Sequence, residues 1–309
     1  MTMAVLSLLA GVVLAGLGGE LFLRGVLGFA RVLRIPAAIA AATLGAFATS
    51  SPEVFVSTIA AARGEPAIGL GDATGSNVVN IALILAVALL IRPLATKRAT
   101  IGLDYAVAIG GSGLIALMAL DGVLSRLDGT VLIAAFCAWM GLHIRSAARQ
   151  RSEPEPLAAG ERTSLIALQS VVGMGLLIAA GTLVVGGAKT IAEAFGVPAF
   201  LIGATLVALG TSMPEFATVL VAVLRGHDEV GVGTLLGSNV FNALFIVGLA
   251  AVITPIPVSG AALWIALGAG ALAAACTWPG RTELLGRLRG ALLIALYGVA
   301  MSLLAVFAG

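Results

Sequence analysis

Two short motifs place polar, chemically versatile residues in the most apolar parts of the chain. The first is "ATSSPEV" at Ala48–Val54, and the second is "GTSMPEF" at Gly210–Phe216, 162 residues later. In each motif a threonine precedes a glutamate by four residues, as Thr49 precedes Glu53 and Thr211 precedes Glu215. Residues three and four apart share a helix face, so each motif directs hydroxyls and a carboxylate to one side. The candidate ion ligands are Thr49, Ser50, Glu53, Thr211, Ser212 and Glu215.

A proline in each motif opens the helix beside these side chains. Pro52 has no N–H group to donate to the carbonyl of Ala48, and Pro214 leaves the carbonyl of Gly210 without its helical donor. Loose carbonyl groups are therefore expected in the preceding turns, at 46–49 and 208–211. Inside a membrane such groups need polar surroundings, and a bound cation would supply them.

A second motif follows each of the first ones and adds neutral oxygen atoms. Ser76 and Asn80 are four residues apart, as are Ser238 and Asn242. Carboxylates, hydroxyls, amide oxygens and loose carbonyls together make an all-oxygen ligand set. Such a set suits Ca²⁺ and hard cations in general, and it lacks the sulfur and imidazole that softer metals prefer.

Histidines and cysteines are not grouped in the sequence. His143 and His227 lie at loop edges without a second ligand at metal-binding spacing, so we expect solvated or headgroup-facing positions for them. Cys137 and Cys276 lie in separate apolar runs and are expected to be buried as small hydrophobic residues. With no nucleophile beside a histidine and no cofactor motif, we predict that the protein is not an enzyme and has no cofactor.

The energetic cost of the two glutamates favours a functional role. Placing two charged residues near the bilayer centre costs on the order of 5 kcal/mol on insertion scales. The alternative is that Glu53 and Glu215 are protonated or locally bonded structural groups. Each serine or threonine could also bond back to a carbonyl of its own helix, although the symmetry of the two motifs weakens that explanation.

Composition identifies the chain as an integral membrane protein. Of 309 residues, 60% are hydrophobic and 10% charged, with a mean hydropathy of +1.12. A membrane-spanning helix needs about 20 apolar residues. We predict an all-α membrane protein with ten transmembrane helices, at 4–31, 36–62, 67–91, 100–120, 128–147, 164–194, 198–224, 229–253, 258–278 and 286–308.

The chain contains an internal repeat. Shifting it by 162 residues aligns Ala41–Asn80 with Gly203–Asn242 without a gap, with 18 identities in 40 positions. Each half then has five spans, and an odd number makes the second half enter the membrane from the opposite face. We predict two inverted five-helix repeats, at 1–147 and 164–309, joined by a cytoplasmic linker at 148–163. Inverted repeats with interrupted helices are the plan of secondary transporters.

The distribution of basic residues predicts the orientation. With ten spans, thirteen lysines and arginines fall on one side and three, Arg63, Arg126 and Lys189, on the other. Short cytoplasmic loops collect basic residues, so both termini are expected outside. The same basic clusters could also contact anionic lipid headgroups.

At its two pairs of motifs the sequence resembles the calcium/cation antiporter superfamily, in particular the prokaryotic sodium/calcium exchangers. Their repeats read much like G-T-S-x-P-E followed by G-S-N-x-x-N/D. The resemblance implies a ten-helix fold, alternating access by sliding of the first and sixth helices, and export of Ca²⁺ in exchange for Na⁺. The sequence departs from the family pattern at Ala48, where glycine is usual, and at Asn242, where some relatives carry aspartate.

The resemblance also implies roles for individual residues. Glu53 and Glu215 would bind both ions, and Thr49 and Thr211 would contribute backbone carbonyls. The flanking sodium positions would be lined by Ser50, Ser76, Ser212, Ser238 and the carbonyls of Ala46 and Ala208. Asn80 and Asn242 would line the central position. With only two glutamates the site charge is −2, which one Ca²⁺ neutralises and three Na⁺ exceed by one.

Several alternatives remain open at this stage. Protons could load the same glutamates, K⁺ could be co-transported, or the oxygen-lined site could belong to a cation channel. Asp72 either adds charge at the outer entrance or caps its helix, Glu20 pairs with Arg24, and Asp104 is expected at an interface. The expected setting is a bacterial or archaeal inner membrane, with Ca²⁺, Na⁺ and lipid as partners, no nucleic acid, and a functional monomer.

Overall fold

Helices make up most of the protein. The computed structural model describes residues 2–64, 66–149, 162–194, 208–258, 261–280 and 282–307. Their helices are α1 Thr2–Leu33, α2 Ala37–Thr49, α3 Ser51–Ala62, α4 Pro66–Ile91, α5 Arg98–Met118, α6 Arg126–Arg149, α7 Thr163–Ala194, α8 Ala208–Thr211, α9 Met213–Leu224, α10 Asp228–Ile253, α11 Ala262–Cys276 and α12 Arg287–Phe307.

Many of these helices can cross a membrane. Within the described residues, seven are long and apolar enough, or eight if α2 and α3, bent by 45° at their junction, form one span. Helix α1 exposes the apolar side chains of Leu6, Leu9 and Val13, as expected of a surface that faces lipid. The helical membrane fold is thus confirmed, whereas the count of ten spans stays a prediction. Most of the predicted linker and the start of the span at 198–224 lie outside the described residues.

Both sequence motifs interrupt a helix in the same way. Ser50 ends α2 with φ −84° and ψ 8°, and Ser212 ends α8 with φ −83° and ψ 7°. Pro52 and Pro214 follow in the first turn of α3 and α9, where a missing N–H group costs no hydrogen bond. The chain therefore restarts a helix directly after each break, with the motif glutamate in its first turn.

Short strands tie the two halves together at the helix ends. Strand β1, Leu94–Ala95, pairs antiparallel with β4, Leu284–Leu285. Strand β2, Val123–Leu124, pairs antiparallel with β3, Ile256–Pro257. Each sheet thus contains one strand from each half, and the single helix α5 connects the two sheets.

Helices α4 and α10 form the centre of the protein. They contact each other through reciprocal hydrogen bonds, because the Asn77 amide donates to the Asn239 carbonyl at 3.2 Å and the Asn239 amide to the Asn77 carbonyl at 3.1 Å. Gly237 of α10 lies so close to α2 that an added Cβ would overlap the carbonyl oxygen of Ala42. Close approach at a small residue is a recurrent device of membrane helix packing.

The expectations for His143 and for the two cysteines are wrong. His143 is buried, and its Nε2 lies 2.6 Å from Oδ1 of Asp104, which also accepts a hydrogen bond from Trp139 at 2.9 Å. Asp104 itself is 1% exposed and is buried within the protein, and its expected place near an interface stays a prediction. Asp104 thus provides a partner for Nε2 of His143, whereas Nδ1 of His143 is buried without a hydrogen-bond partner among the described residues. Cys137 and Cys276 are exposed rather than buried, since apolar surface is stable against lipid.

The packing at Gly237 predicts that replacing it with alanine changes stability more than the same replacement at Gly71. Gly237→Ala should destabilise the protein by about 2 kcal/mol, because the new methyl group meets rigid backbone. Gly71→Ala on α4, where an added Cβ meets nothing within 4 Å, should be neutral or slightly stabilising. Thermal unfolding of the purified variants in detergent measures both effects, and equal unfolding temperatures would contradict the described packing.

Candidate cation site

The motif side chains lie in the interior of the protein. Thr211 and the Ala208 backbone belong to α8, and Thr211 is partly buried. The remaining polar candidates are at most 1% exposed: Thr49, Ser50, Glu53, Ser76, Asn80, Ser212, Glu215, Ser238 and Asn242. They come from the two helix breaks and from the middle of α4 and α10, so elements of both halves surround one polar region.

Glu215 is held by hydroxyl groups of both halves. Its Oε1 accepts hydrogen bonds from Ser50 at 3.1 Å and from Ser238 at 3.0 Å. The hydroxyl of Thr49 lies 3.5 Å from that of Ser238. Residues that are 165 positions apart in sequence are therefore in direct contact at this carboxylate. Its second oxygen, Oε2, has no hydrogen-bond partner among the described residues.

Glu53 is fully buried and less well satisfied. Neither of its carboxylate oxygens receives a well-formed hydrogen bond from the described residues. Glu215 and Asp72 are the acidic groups whose negative charges would act on it electrostatically. A buried carboxylate is costly when neither hydrogen bonds nor a positive charge stabilise it. A cation between Glu53 and Glu215 would stabilise both carboxylates and offset the repulsion between them.

The two halves differ in this conformation. Ser212 is the counterpart of Ser50, and Ser76 is the counterpart of Ser238, yet the hydroxyls of Ser212 and Ser76 have no hydrogen-bond partner among the described residues. Their carboxylate counterpart would be Glu53. The sequence repeat thus produces an asymmetric site, in which one glutamate is engaged and the other is open.

The two asparagines lie where the helices widen. Asn80 is in a π-helical segment at Val79–Leu85 of α4, and Asn242 is in another at Phe241–Ile246 of α10. Such segments are frequent at functional sites because they redirect backbone and side chains. Asn80 donates to Oδ1 of Asn239 at 3.0 Å, whereas both amide atoms of Asn242 lack a partner in the described part of the chain.

The carbonyl groups of the first break are partly engaged. The carbonyl of Ala46 accepts a hydrogen bond from the Ser50 N–H group at 2.9 Å and lies 3.4 Å from the Thr49 hydroxyl. Ala208 begins the described part of its segment, at the start of α8. The carbonyls of Ala46 and Ala208 as ion ligands therefore remain predictions.

Sequence reasoning left some residues of this region without a role. Asn77 and Asn239 join α4 to α10, and Asp72 accepts a hydrogen bond from Thr211 at 3.2 Å. The repeat contained the signal for the asparagines, because both are identical between the halves. The contact of Asp72 had no such signal, since its counterpart is Thr234.

The arrangement can bind a dehydrated hard cation inside the membrane. Its atoms are carboxylate, hydroxyl and amide oxygens, the ligand types that Ca²⁺ prefers. Among the described residues, no group of three or more histidine, cysteine and acidic side chains forms a conventional metal centre. A buried, oxygen-lined site between two interrupted helices is characteristic of secondary transporters that carry cations. The fold and the site define a cation antiporter rather than an enzyme.

Comparisons with known proteins identify its family. The model of the family described as "Sodium/calcium exchanger protein" matches residues 3–145 and 165–306. CaxA of Alkalimonas amylolytica is 33% identical over 273 residues, which cover 85% of this chain and 84% of that protein. The sodium/calcium exchanger MaX1 of Methanosarcina acetivorans is 26% identical over 305 residues, with 85% and 87% covered. The chain belongs to the sodium/calcium exchanger family.

A solved structure shares the whole fold. The sodium-calcium exchanger NCX_Mj, soaked with 10 mM Na⁺ and 10 mM Sr²⁺, is similar with a TM-score of 0.84 and 26% identity. The similarity covers 97% of this chain and 98% of that one. The expected membership of the calcium/cation antiporter superfamily is confirmed.

The asymmetry of the site predicts different effects for two matched serines. In the absence of Na⁺ and Ca²⁺, Ser50→Ala should destabilise the protein by about 1–2 kcal/mol, because it removes a hydrogen bond to a buried carboxylate. Ser212→Ala should have little effect, since its hydroxyl has no partner among the described residues. Thermal unfolding in a chelator-containing, Na⁺-free buffer compares them, and the reverse order would contradict this conformation.

Proposed function

We propose that the protein exports Ca²⁺ in exchange for Na⁺ by alternating access. The observation that carries the proposal is the contact of Glu215 with Ser50 and Ser238, which joins both halves around one buried carboxylate close to Glu53. Two such carboxylates can balance one Ca²⁺. The neighbouring hydroxyl and amide oxygens would complete its coordination and serve Na⁺ in the other half of the cycle.

The two sheets support inverted repeats. A shift of 162 residues takes β1 to β3 and takes Val123 of β2 to Leu285 of β4, so the two sheets correspond to within one residue of register. The sheets lie at the two ends of α5, on opposite sides of the molecule. A symmetry that exchanges them therefore exchanges the two membrane faces, as five spans in each half require.

Matched contacts between the halves agree with this symmetry. Arg92 donates to the carbonyl of Val223 at 2.9 Å, and Thr254 donates to the carbonyl of Ala61 at 2.8 Å. The two donors, Arg92 and Thr254, are 162 residues apart in sequence, and so are the two acceptors, Ala61 and Val223. The family model also matches the chain in two segments that coincide with the proposed halves, 1–147 and 164–309. These observations favour ten spans in two repeats, with the linker at 148–163 between them.

Helices α1 and α7 are suited to move together. They pack along each other through small residues, and an added Cβ on Gly18 would lie 3.0 Å from the Gly173 carbonyl oxygen. Glu20 of α1 binds Arg24 within its own helix and Arg225 at the end of α9, each at 3.0 Å. Contacts between small residues, together with the ion pair of Glu20 with Arg225, fit a sliding pair that opens the site to each side in turn.

The ligand types favour Na⁺ as the coupling ion. If only protons exchanged at Glu53 and Glu215, the buried hydroxyls of Ser76 and Ser212, which have no partner among the described residues, would have no evident use. A K⁺-dependent mode is the second candidate, because the human sodium/potassium/calcium exchanger 2 is 38% identical over 96 residues, or 29% of this chain. We further propose a bacterial or archaeal inner membrane, both termini outside, contact with lipid, and a functional monomer.

Transport by the reconstituted protein tests this function. Na⁺-loaded liposomes should accumulate ⁴⁵Ca²⁺ when diluted into Na⁺-free buffer, and Glu53→Gln or Glu215→Gln should abolish uptake by removing a central charge. Glu229→Gln is the matched control, because it changes a surface glutamate that pairs with Lys97 at 3.5 Å. A K⁺-containing arm tests the second candidate.

Other outcomes would decide against the proposal. Uptake driven only by a pH gradient would replace Na⁺ with H⁺ as the coupling ion. Uptake that needs no counter-ion inside the liposomes would indicate a channel. Full activity of both glutamine variants would remove the proposed site.

A further inference from the structure

Asp72 breaks the symmetry of the site. It lies on α4 one turn before Ser76, whereas the equivalent residue of α10 is Thr234. Thr234 is fully buried, and its hydroxyl bonds back to the Val230 carbonyl of its own helix at 2.9 Å. Asp72 is 9% exposed and makes its contact across the molecule instead. One half therefore carries an extra carboxylate where the other half has a self-contained hydroxyl.

The surroundings of Asp72 are polar and unsatisfied. Its Oδ1 accepts the hydrogen bond from Thr211 at 3.2 Å, while its Oδ2 has no partner among the described residues. A negative charge on Asp72 would oppose one on Glu53, and neither Glu53 oxygen has a well-formed hydrogen bond from the described residues. Three buried carboxylate oxygens, both of Glu53 and Oδ2 of Asp72, therefore lack a hydrogen-bond donor among the described residues.

A cation is the group that meets this demand. Two anionic groups buried together are costly, and an ion between them offsets both the repulsion and the lost hydration. Asp72 and Glu215 have different partners, because Asp72 accepts from Thr211 whereas Glu215 accepts from Ser50 and Ser238. This difference points to a position next to Asp72 that is distinct from the one between Glu53 and Glu215.

We propose that Asp72, which is not one of the repeated ligands, contributes its carboxylate to the flanking cation position beside Thr211 and Glu53, and that Asp72 sets the Na⁺ affinity of the exchanger. The proposal rests on the function proposed above and adds a residue outside the repeated ligand set. One Ca²⁺ neutralises Glu53 and Glu215, which leaves the charge of Asp72 for a monovalent ion. Loss of that charge should therefore weaken Na⁺ binding more than Ca²⁺ binding.

Competition binding tests the assignment without requiring transport. ⁴⁵Ca²⁺ bound to the purified full-length protein is displaced with NaCl, with ionic strength kept constant by choline chloride. Asp72→Asn removes the charge but keeps an oxygen acceptor for Thr211, and Asp72→Thr reproduces the residue of the other half. Asp121→Asn is the control, because Asp121 is exposed and accepts only a local hydrogen bond from the Val123 N–H group at 3.1 Å.

Asp72→Asn should raise the half-displacing Na⁺ concentration about tenfold, with a smaller change in the half-saturating Ca²⁺ concentration. Asp72→Thr should act in the same direction, and Asp121→Asn should leave both values unchanged. Unchanged Na⁺ displacement in Asp72→Asn, or equal weakening of Na⁺ and Ca²⁺, would overturn the assignment alone. Absence of Na⁺-sensitive Ca²⁺ binding in the unsubstituted protein would instead overturn the proposed function, and this inference with it.

Discussion

The structure depends on keeping two carboxylates in the interior of a membrane protein. Glu53 and Glu215 are fully buried, and negative charges on both would repel each other. An unpaired charge in such surroundings costs far more than most single interactions in a protein can return. The interrupted helices, the close contact of Gly237 with α2 and the central asparagine pair all bring oxygen and nitrogen atoms toward these groups. No positively charged side chain among the described residues is seen to pair with either carboxylate, so a bound cation would complete the site.

The repeat explains both the symmetry of the fold and the asymmetry of the site. Equivalent breaks at Ser50 and Ser212 have nearly identical backbone angles, yet only Ser50 bonds to the glutamate of the other half. Two copies of one element can exchange such roles without a change in internal geometry. Under the proposed function, the state open to the opposite face would engage Glu53 in the way that this one engages Glu215.

Much of this arrangement follows from local sequence. The apolar segments predicted the helical membrane fold, and the prolines predicted the breaks at Ser50 and Ser212 to within two residues. The buried Asp104–His143 pair was missed, because its partners are 39 positions apart and meet only when α5 packs on α6. The π-helical segments around Asn80 and Asn242 carry no proline or glycine that would announce them. Asp72 could not be assigned, since its partner Thr211 comes from the other half.

Diffraction from crystals soaked with Sr²⁺ tests the central claim most directly. Sr²⁺ resembles Ca²⁺ in charge and ligand preference, and its anomalous signal locates it independently of the surrounding density. The account predicts a strong anomalous peak between the carboxylates of Glu53 and Glu215, at bonding distance from at least one oxygen of each. A peak that contacts neither glutamate, or carboxylates that bond to each other with no ion between them, would contradict it.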